Sequence, residues 1–470
     1  MTFANFKNAK IVRSAWLESS GRRLDCNPYM SGALEAIDTL NALHVRKDRL
    51  DEVTDDIFDS GRESRSWVDD PAFGVPYMGT SSILYSDLTT LPLISSKQVR
   101  RNPRLPIDQS WSLITRSGSI GRMAYVRPDM VGMTCSEDVL RVVANQSKIS
   151  PGYLYAFLAC KYGVPLIVSG TYGAIIQHIE PVHVNGIEIP RFGELIESQV
   201  HQLVEKAALL RSQYQAKLNQ ATGRLLSAAG IEDCPAHVWN KMGPETGFSA
   251  SISISHSMRA ANYSKRIHKL LGTIESSGAT TLGEICDGGQ LGTGARFKRI
   301  DCDPEEGIRL VGQKQGFWMR PEGRWIAPRY TPKGVFATNE SVLIASSGTL
   351  GESEVYCRPI LVTGKWLDFA YTQHFLRVVS GNSDFPGAYL FAFLRSEVAF
   401  RALRSMSTGS KQQEIHLGFV SRLPIPILTS DLRVEIAETV RSAFIDRDRA
   451  DSFEDKALRI VEEAIKGGAA

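Results

Sequence analysis

Two stretches of the 470-residue chain gather side chains able to grip an anionic polymer. Between residues 95 and 130, Lys97, Arg100, Arg101, Arg104, Arg116, Arg122 and Arg127 face only Asp108 and Asp129, a local charge of +5. Between 290 and 335, Arg296, Lys298, Arg299, Arg309, Lys314, Arg320, Arg324, Arg329 and Lys333 outnumber Asp301, Asp303, Glu305, Glu306 and Glu322 by four, with Trp318, Trp325 and Tyr330 interleaved. Lysine and arginine neutralise phosphates, and arginine also reads a guanine edge through two parallel hydrogen bonds. The whole chain carries only +3, so nucleic-acid binding would rest on local clustering and not on the total. One such cluster is an ordinary solvated surface. Two, read here as lying in corresponding parts of an internal repeat, point to DNA.

Other chemistries find no support. His178 and His183 flank Glu180, but the spacing fits one helical face poorly and Pro181 forbids a regular helix. The second copy of the repeat has Glu414 and Phe419 there, so no metal site is expected. Glu454-Asp455-Lys456 has the Glu-x-Lys shape of nuclease cores but falls in a predicted long helix. Ser117 and Ser347 lack a histidine partner common to both copies, which weakens a nucleophile reading. There is no P-loop, no dinucleotide glycine fingerprint and no Gly-x-Ser-x-Gly elbow. The Asn/Asp-Pro-Pro-aromatic tetrapeptide that holds the target nitrogen in amino-methyltransferases is missing too. No catalytic residue is therefore assigned. The seven scattered cysteines contain no Cys-x-x-Cys and suit a reducing cytoplasm. No signal peptide is visible and no 18 apolar residues run together, so a cytoplasmic, membrane-free protein is expected.

The elements that must carry the basic side chains come in duplicate. The phrases TRSGSIGR (115–122) and ASSGTLGE (345–352) lie 230 positions apart, Ser117 to Ser347. Around them, in the same order, RLDCNPY (23–29) faces SMRAANY (257–263), and DDIFDSGR (55–62) faces GEICDGGQ (283–290). GVPYMGTSSI (74–83) faces GIRLVGQKQG (307–316), and YLYAFLACKYG (153–163) faces YLFAFLRSEVA (389–399). TYGAIIQHI (171–179) then faces STGSKQQEI (407–415), and IEIP (187–190) faces LPIP (423–426). Short alternating runs bounded by turn residues read as strands, and the two aromatic-rich runs as buried helices, so each copy is α+β with a curved β portion. The glycines of the repeated phrase suit a tight turn that needs positive φ.

A charged, helix-prone segment follows each copy. Over 192–230, Ile196, Val200, Leu203, Ala207, Leu210, Tyr214, Leu218, Ala221 and Leu225 recur at steps of mostly four and three, predicting one helix about 50 Å long. The segment 430–468 repeats the pattern more weakly, with Ser430-Asp431 as N-cap and Gly467 as stop. A long helix with a single apolar stripe is unstable alone, so the two are expected to pack on each other, antiparallel, with one domain at each end. The boundaries read as a first domain 1–191, a spacer helix 192–230, a linker 231–254, a second domain 255–428 and a C-terminal helix 429–470.

This order of phrases resembles the specificity (S) subunits of Type I restriction–modification systems. The phrases that carry it are RLDCNPY, TRSGSIGR with ASSGTLGE, YLYAFL with YLFAFL, and YGAIIQHI with TGSKQQEI leading into IEIP and LPIP. The helical ELIESQVHQLVEKAALLR and VEIAETVRSAFIDRDR follow, and the likeness spans nearly the whole chain. SMRAANY departs from it by lacking the Arg-Leu-Asp of the first copy. The resemblance implies two target-recognition domains that read a bipartite, asymmetric site in double-stranded DNA. It implies paired helices that act as a ruler and dock two adenine methyltransferase subunits, with a restriction/translocase subunit as a further partner. It implies a non-catalytic chain in phage defence, with S-adenosylmethionine held by the methyltransferase partner and no cofactor here. The base-edge candidates are then Arg116, Ser119, Arg122, Gln177 and His178 in the first copy and Lys411, Gln412 and Gln413 in the second. The phosphate candidates are Lys97, Arg100, Arg101, Arg299 and Lys314. A specificity-like factor of another methylation-linked defence system, and a stand-alone nuclease, are the alternatives.

Overall fold

The computed structural model describes residues 11–19, 27–169, 178–250 and 257–468. The stripe over 192–230 becomes one helix, Glu194–Ala229, closed by Gly230 in the left-handed conformation at φ 65°. The second long helix is Ser430–Gly468. Here Ser430 is already helical and the helix runs through Gly467, one residue beyond the expected stop. At 1.5 Å per residue the first helix spans about 54 Å.

The two helices pair antiparallel, because partners fall in number on one as they rise on the other. Arg211 meets Asp451 at 2.8 Å and Glu454 at 2.7 Å, Tyr214 stacks edge-on to Phe444 at 5.4 Å, and Arg224 meets Glu435 at 3.2 Å. The apolar stripes close on each other at both ends of this seam. Val200, Leu203, Val204 and Ala208 share a core with Ala457, Val461 and Ile465. Tyr214, Leu218, Ala221 and Leu225 share another with Ile436, Val440, Ala443 and Phe444. The first core is completed by residues 33–189 and the second by residues 274–428, so one copy of the repeat sits at each end.

The two copies have the same strand order. In the first, Thr54–Phe58, Val139–Ala144, Ser112–Thr115 and Met123–Tyr125 are neighbours in an antiparallel sheet. In the second, Gln290–Thr293, Phe375–Val379, Ser341–Ala345 and Pro359–Val362 take the same places. Gly74–Met78 pairs antiparallel with Leu93–Ser95 and parallel with Thr134–Cys135. Ile308–Val311 pairs likewise with Gly323–Ile326 and Ala370–Tyr371. The first copy adds a further edge strand, Trp67–Val68, where the second has a single bridge from Asp301 to Ile326. The apolar runs form the helices Pro151–Ala159, buried through Leu158, and Gly387–Leu394, buried throughout. Each ties itself down in the same way: the Tyr153 hydroxyl donates to the Pro190 carbonyl and the Tyr389 hydroxyl to the Pro426 carbonyl. Two buried arginines also recur, with Arg141 donating to the carbonyls of Ser136 and Val139 and Arg377 to that of Val335.

The repeated phrase marks the place where a strand leaves its sheet and joins a segment far ahead in the chain. Ser117 bridges to His178, and Ser347–Gly348 pairs with Gln413–Ile415. In the first copy the turn is tight, with Gly118 at φ 71° and Gly121 at φ 80°. The second copy departs from this expectation. Its sheet resumes only at Pro359, the positive φ passes to Cys357 at 69°, and Gly348 serves close packing, since a Cβ there would lie 2.9 Å from that of Tyr356. The strand equivalences also correct the placing of the basic clusters. Residues 290–335 correspond to about 57–102, so the two clusters overlap only near the end of that stretch. The segment 231–254 contains a helix, Ala236–Lys241, whose Trp239 lies under the Arg266 guanidinium at 3.9 Å. Among the described residues no single helix is long and apolar enough to cross a membrane.

At the middle of the helix seam charge is buried. Glu454 accepts from Arg211, from Arg320 Nη1 at 2.9 Å and from the Tyr155 hydroxyl at 2.6 Å. Burial alone would raise its pKa, but the Arg211 and Arg320 charges outweigh that and bring it down to about 2. For Asp451 burial outweighs the same arginines and holds it above the usual carboxylate value. Removing one partner strands the others, so Arg211→Met is expected to cost about 3–5 kcal/mol, read as a lower urea midpoint. Because Glu454 is depressed, its share of stability is complete above its ordinary 4.5 and drains away as pH falls towards about 2. Asp451 works in the opposite sense. Glu454→Gln should therefore lose stability at neutral pH and flatten the acid limb of a pH–stability curve below pH 4.5.

Candidate nucleic-acid interface

A side chain that meets phosphate must be exposed and unclaimed by carboxylates, and the basic residues divide on that test. Lys97 and Arg100 stand on the helix Ser96–Arg101, whose first turn is capped by the Ser95 hydroxyl accepting from the Lys97 amide at 3.3 Å. Both are exposed and have no ion-pair partner among the described residues. Arg101 is exposed but meets Glu63 at 3.2 Å, and Arg104 sits over the Phe58 ring at 5.1 Å with Asp56 at 3.8 Å. In the second copy Lys314 is exposed at the start of the 3₁₀ turn Gln315–Phe317. Arg299 is half-buried and spends one nitrogen on the Gln373 side chain at 2.8 Å.

The base-edge candidates are brought together, copy by copy, around the repeated phrase. Arg116 is held from several sides. Its guanidinium donates to the carbonyls of Ile179 at 2.9 Å and Glu137 at 3.1 Å, to Asp59 at 3.2 Å, and to Glu180. This pins the turn to the segment after it, so Arg116 serves as a brace there. Ser119 is exposed at the tip, and its carbonyl accepts from the Thr115 hydroxyl. Arg122 points to the other copy: it pairs with Glu322, Nε to Oε1 at 2.8 Å, and lies 4.8 Å over the Trp318 ring. His178 lies beside the turn through its bridge to Ser117, while Gln177 is outside the described residues. In the second copy Lys411 and Gln412 are exposed, Gln412 donating to the Ser347 hydroxyl at 2.7 Å. Gln413 is buried, its amide donating to the Ser410 carbonyl and accepting from Arg259, so it shapes the loop from within.

The structure also exposes basic side chains that residue-by-residue selection passed over. The segment 295–301 runs beside the strand Gly323–Ile326, with the Ala327 amide donating to the Ile300 carbonyl at 2.9 Å. Arg296, Lys298 and Lys333 come out exposed there, without ion-pair partners among the described residues, next to Arg329 and a Tyr330 that is 53 % exposed. The first copy offers Arg62 and a Trp67 that is 52 % exposed and edge-on to Tyr77 at 5.2 Å. Burial pushes the Tyr77 hydroxyl up to about 12, so it stays neutral beneath. The interleaving of Arg and Trp in RESRSW was the available signal, diluted by Glu63, Asp69 and Asp70. Glu454, the leading carboxylate of the nuclease-like tripeptide, is buried in its ion pairs with Arg211 and Arg320.

No protein-family model and no curated protein matches the chain. Among solved structures it is similar to a Type I restriction-modification system S subunit from M. genitalium, at 12 % identity and a TM-score of 0.31 over 91 % of this chain and 96 % of that one. It is similar to the HsdS subunit from Thermoanaerobacter tengcongensis, at 14 % identity and a TM-score of 0.28 over 90 % and 97 %. A third likeness, at 15 % identity and a TM-score of 0.26 over 89 % and 97 %, is to a chain from a structure on complex assembly and conformational transition of the type I R-M system.

Proposed function

We propose that this chain is the DNA sequence-specificity subunit of a Type I restriction–modification system. It reads a bipartite, asymmetric site in double-stranded DNA and performs no chemistry itself. The observation that carries this reading is the pair of modules with one strand order, set at opposite ends of an antiparallel helix pair, each presenting unpaired exposed cations. Two readers so related suit two half-sites on one face of a duplex, about 34 Å apart per turn, and the roughly 54 Å helix pair has the reach to hold them. Phosphate contacts from Lys97, Arg100, Arg296, Lys298 and Lys333 position the duplex. The exposed Ser119, Lys411 and Gln412 stand where base edges are read, and because the two modules differ there, the two half-sites differ. Two adenine methyltransferase subunits would dock on the helices and bring S-adenosylmethionine with them, and a restriction/translocase subunit would complete the assembly.

Mapping methylated adenines in the source genome, with and without this gene, tests the reading: one split motif should vanish with the gene, and an unchanged map would overturn it. Exchanging the module at 20–190 for one of different specificity should change one half of that motif and leave the other intact. On DNA carrying the motif, Lys97→Ala and Lys298→Ala should each weaken binding to all sequences alike and lower the slope of log affinity against log salt by about 1.

A further inference from the structure

The two modules also touch each other, and they do so symmetrically. Residues 84–86 follow the strand Gly74–Met78 through the turn Ser82–Leu84. Residues 317–319 follow Ile308–Val311 through the turn Gln315–Phe317, 233 positions on. These equivalent segments meet antiparallel, with Tyr85 opposite Trp318. The Ser86 amide donates to the Phe317 carbonyl at 2.9 Å, and the Met319 amide donates to the Leu84 carbonyl at 2.7 Å. Ser86 corresponds to Met319 and Leu84 to Phe317, so each bond is the image of the other and a local two-fold axis runs between Tyr85 and Trp318. Ser86, Trp318 and Met319 are buried. Charges of opposite sign flank the axis: Asp87 of the first module meets Arg395 of the second at 3.0 Å, and Arg122 meets Glu322. Arg320 of the second module reaches Glu454, where Tyr155 of the first also binds.

We propose that this two-fold clasp, formed by Leu84–Ser86, Phe317–Met319 and the Asp87–Arg395 and Arg122–Glu322 pairs, fixes the number of base pairs between the two half-sites. The inference rests on the DNA-reading function above and goes beyond it, because it adds a direct contact between readers to the helix pair as a determinant of spacing. Magnitudes support the assignment. Lengthening the spacer by one base pair moves one half-site by about 3.4 Å and turns it by about a tenth of a turn. Hydrogen bonds of 2.7 and 2.9 Å do not survive a relative shift of that size. The helix pair sets the overall reach, and the clasp removes the play that gentle bending along its length leaves. While the clasp holds, one spacer length fits both readers.

The test uses the full-length chain and a library of duplexes that carry both half-sites of its motif, separated by every spacer length across one turn, about 10 base pairs. The wild-type chain should retain one length. Ser86→Pro removes the amide donor of one ladder bond, and Glu322→Lys sets a cation against Arg122 on a half-exposed surface where folding is not at risk. Each should retain the same half-sites but lose the single length, spreading to neighbouring ones. Asp87→Lys should do the same, and the charge-exchanged pair Asp87→Arg with Arg395→Asp should narrow the distribution again. Retention of the wild-type length by a folded Glu322→Lys chain would overturn the clasp while leaving the DNA-reading function standing. Failure of the wild-type chain to select any split site would overturn that function and the inference together.

Discussion

A helix that is apolar along only one stripe does not hold its shape in water, and this chain contains two of them, each longer than thirty-five residues. Their mutual burial is the constraint on which the remaining architecture depends. Once Glu194–Ala229 and Ser430–Gly468 lie antiparallel, the module preceding each is carried to opposite ends of one seam. Each buried helix, Pro151–Ala159 or Gly387–Leu394, then docks on a groove made from both long helices. Tyr155 reaches across to Glu454, and Thr222 donates to the Ala392 carbonyl at 3.0 Å. Neither module has a complete core without both long helices, so the chain folds as one interlocked unit.

Duplication shows in what the two copies keep and what they change. They keep the groups that satisfy buried backbone: Tyr153 and Tyr389 on the carbonyls of Pro190 and Pro426, Arg141 on those of Ser136 and Val139, and Arg377 on that of Val335. Such positions are demanded by the fold, because an orphaned buried carbonyl is costly wherever it occurs. They change the surface. Lys97 and Arg100 stand on a helix in the first copy, whereas in the second Arg296 and Lys298 stand on a loop beside an edge strand and Lys333 on a 3₁₀ turn. One scaffold with two differing faces is what the proposed reading of an asymmetric split site requires.

Much of this was legible in the sequence. The steps of three and four over 192–230 gave the first long helix to within two residues, and the ordered phrases gave the repeat. The rest was hidden for physical reasons. An apolar stripe does not show that Gln215, Asp446, Asp451 and Glu454 are also buried in the seam, where partners on other elements satisfy them. Charge counting located basic residues but not their acids, which arrive from elsewhere in the chain. Arg116 meets Asp59 and Glu180, and Arg122 meets Glu322, two hundred residues away. It also misaligned the two clusters, because register belongs to strand pairing and not to density of charge. The phrase around Ser117 was recognisable as a turn, yet its long-range partner at His178 follows from sheet geometry alone.

Buried polar groups in the seam also decide its register. An apolar stripe on its own permits neighbouring alignments, since a slide of one heptad puts Leu against Ala instead of Ala against Leu at little cost. Arg211 between Asp451 and Glu454, and Lys217 on Asp446, have no such freedom. A slide would leave a buried guanidinium and two buried carboxylates unpaired, at several kcal/mol each. The same Glu454 is shared with Tyr155 of the first module and Arg320 of the second. One carboxylate thus ties the register of the helices to the position of both modules. A helix pair holds two modules in fixed relation only if its halves cannot creep, and the polar cluster at its centre supplies that lock.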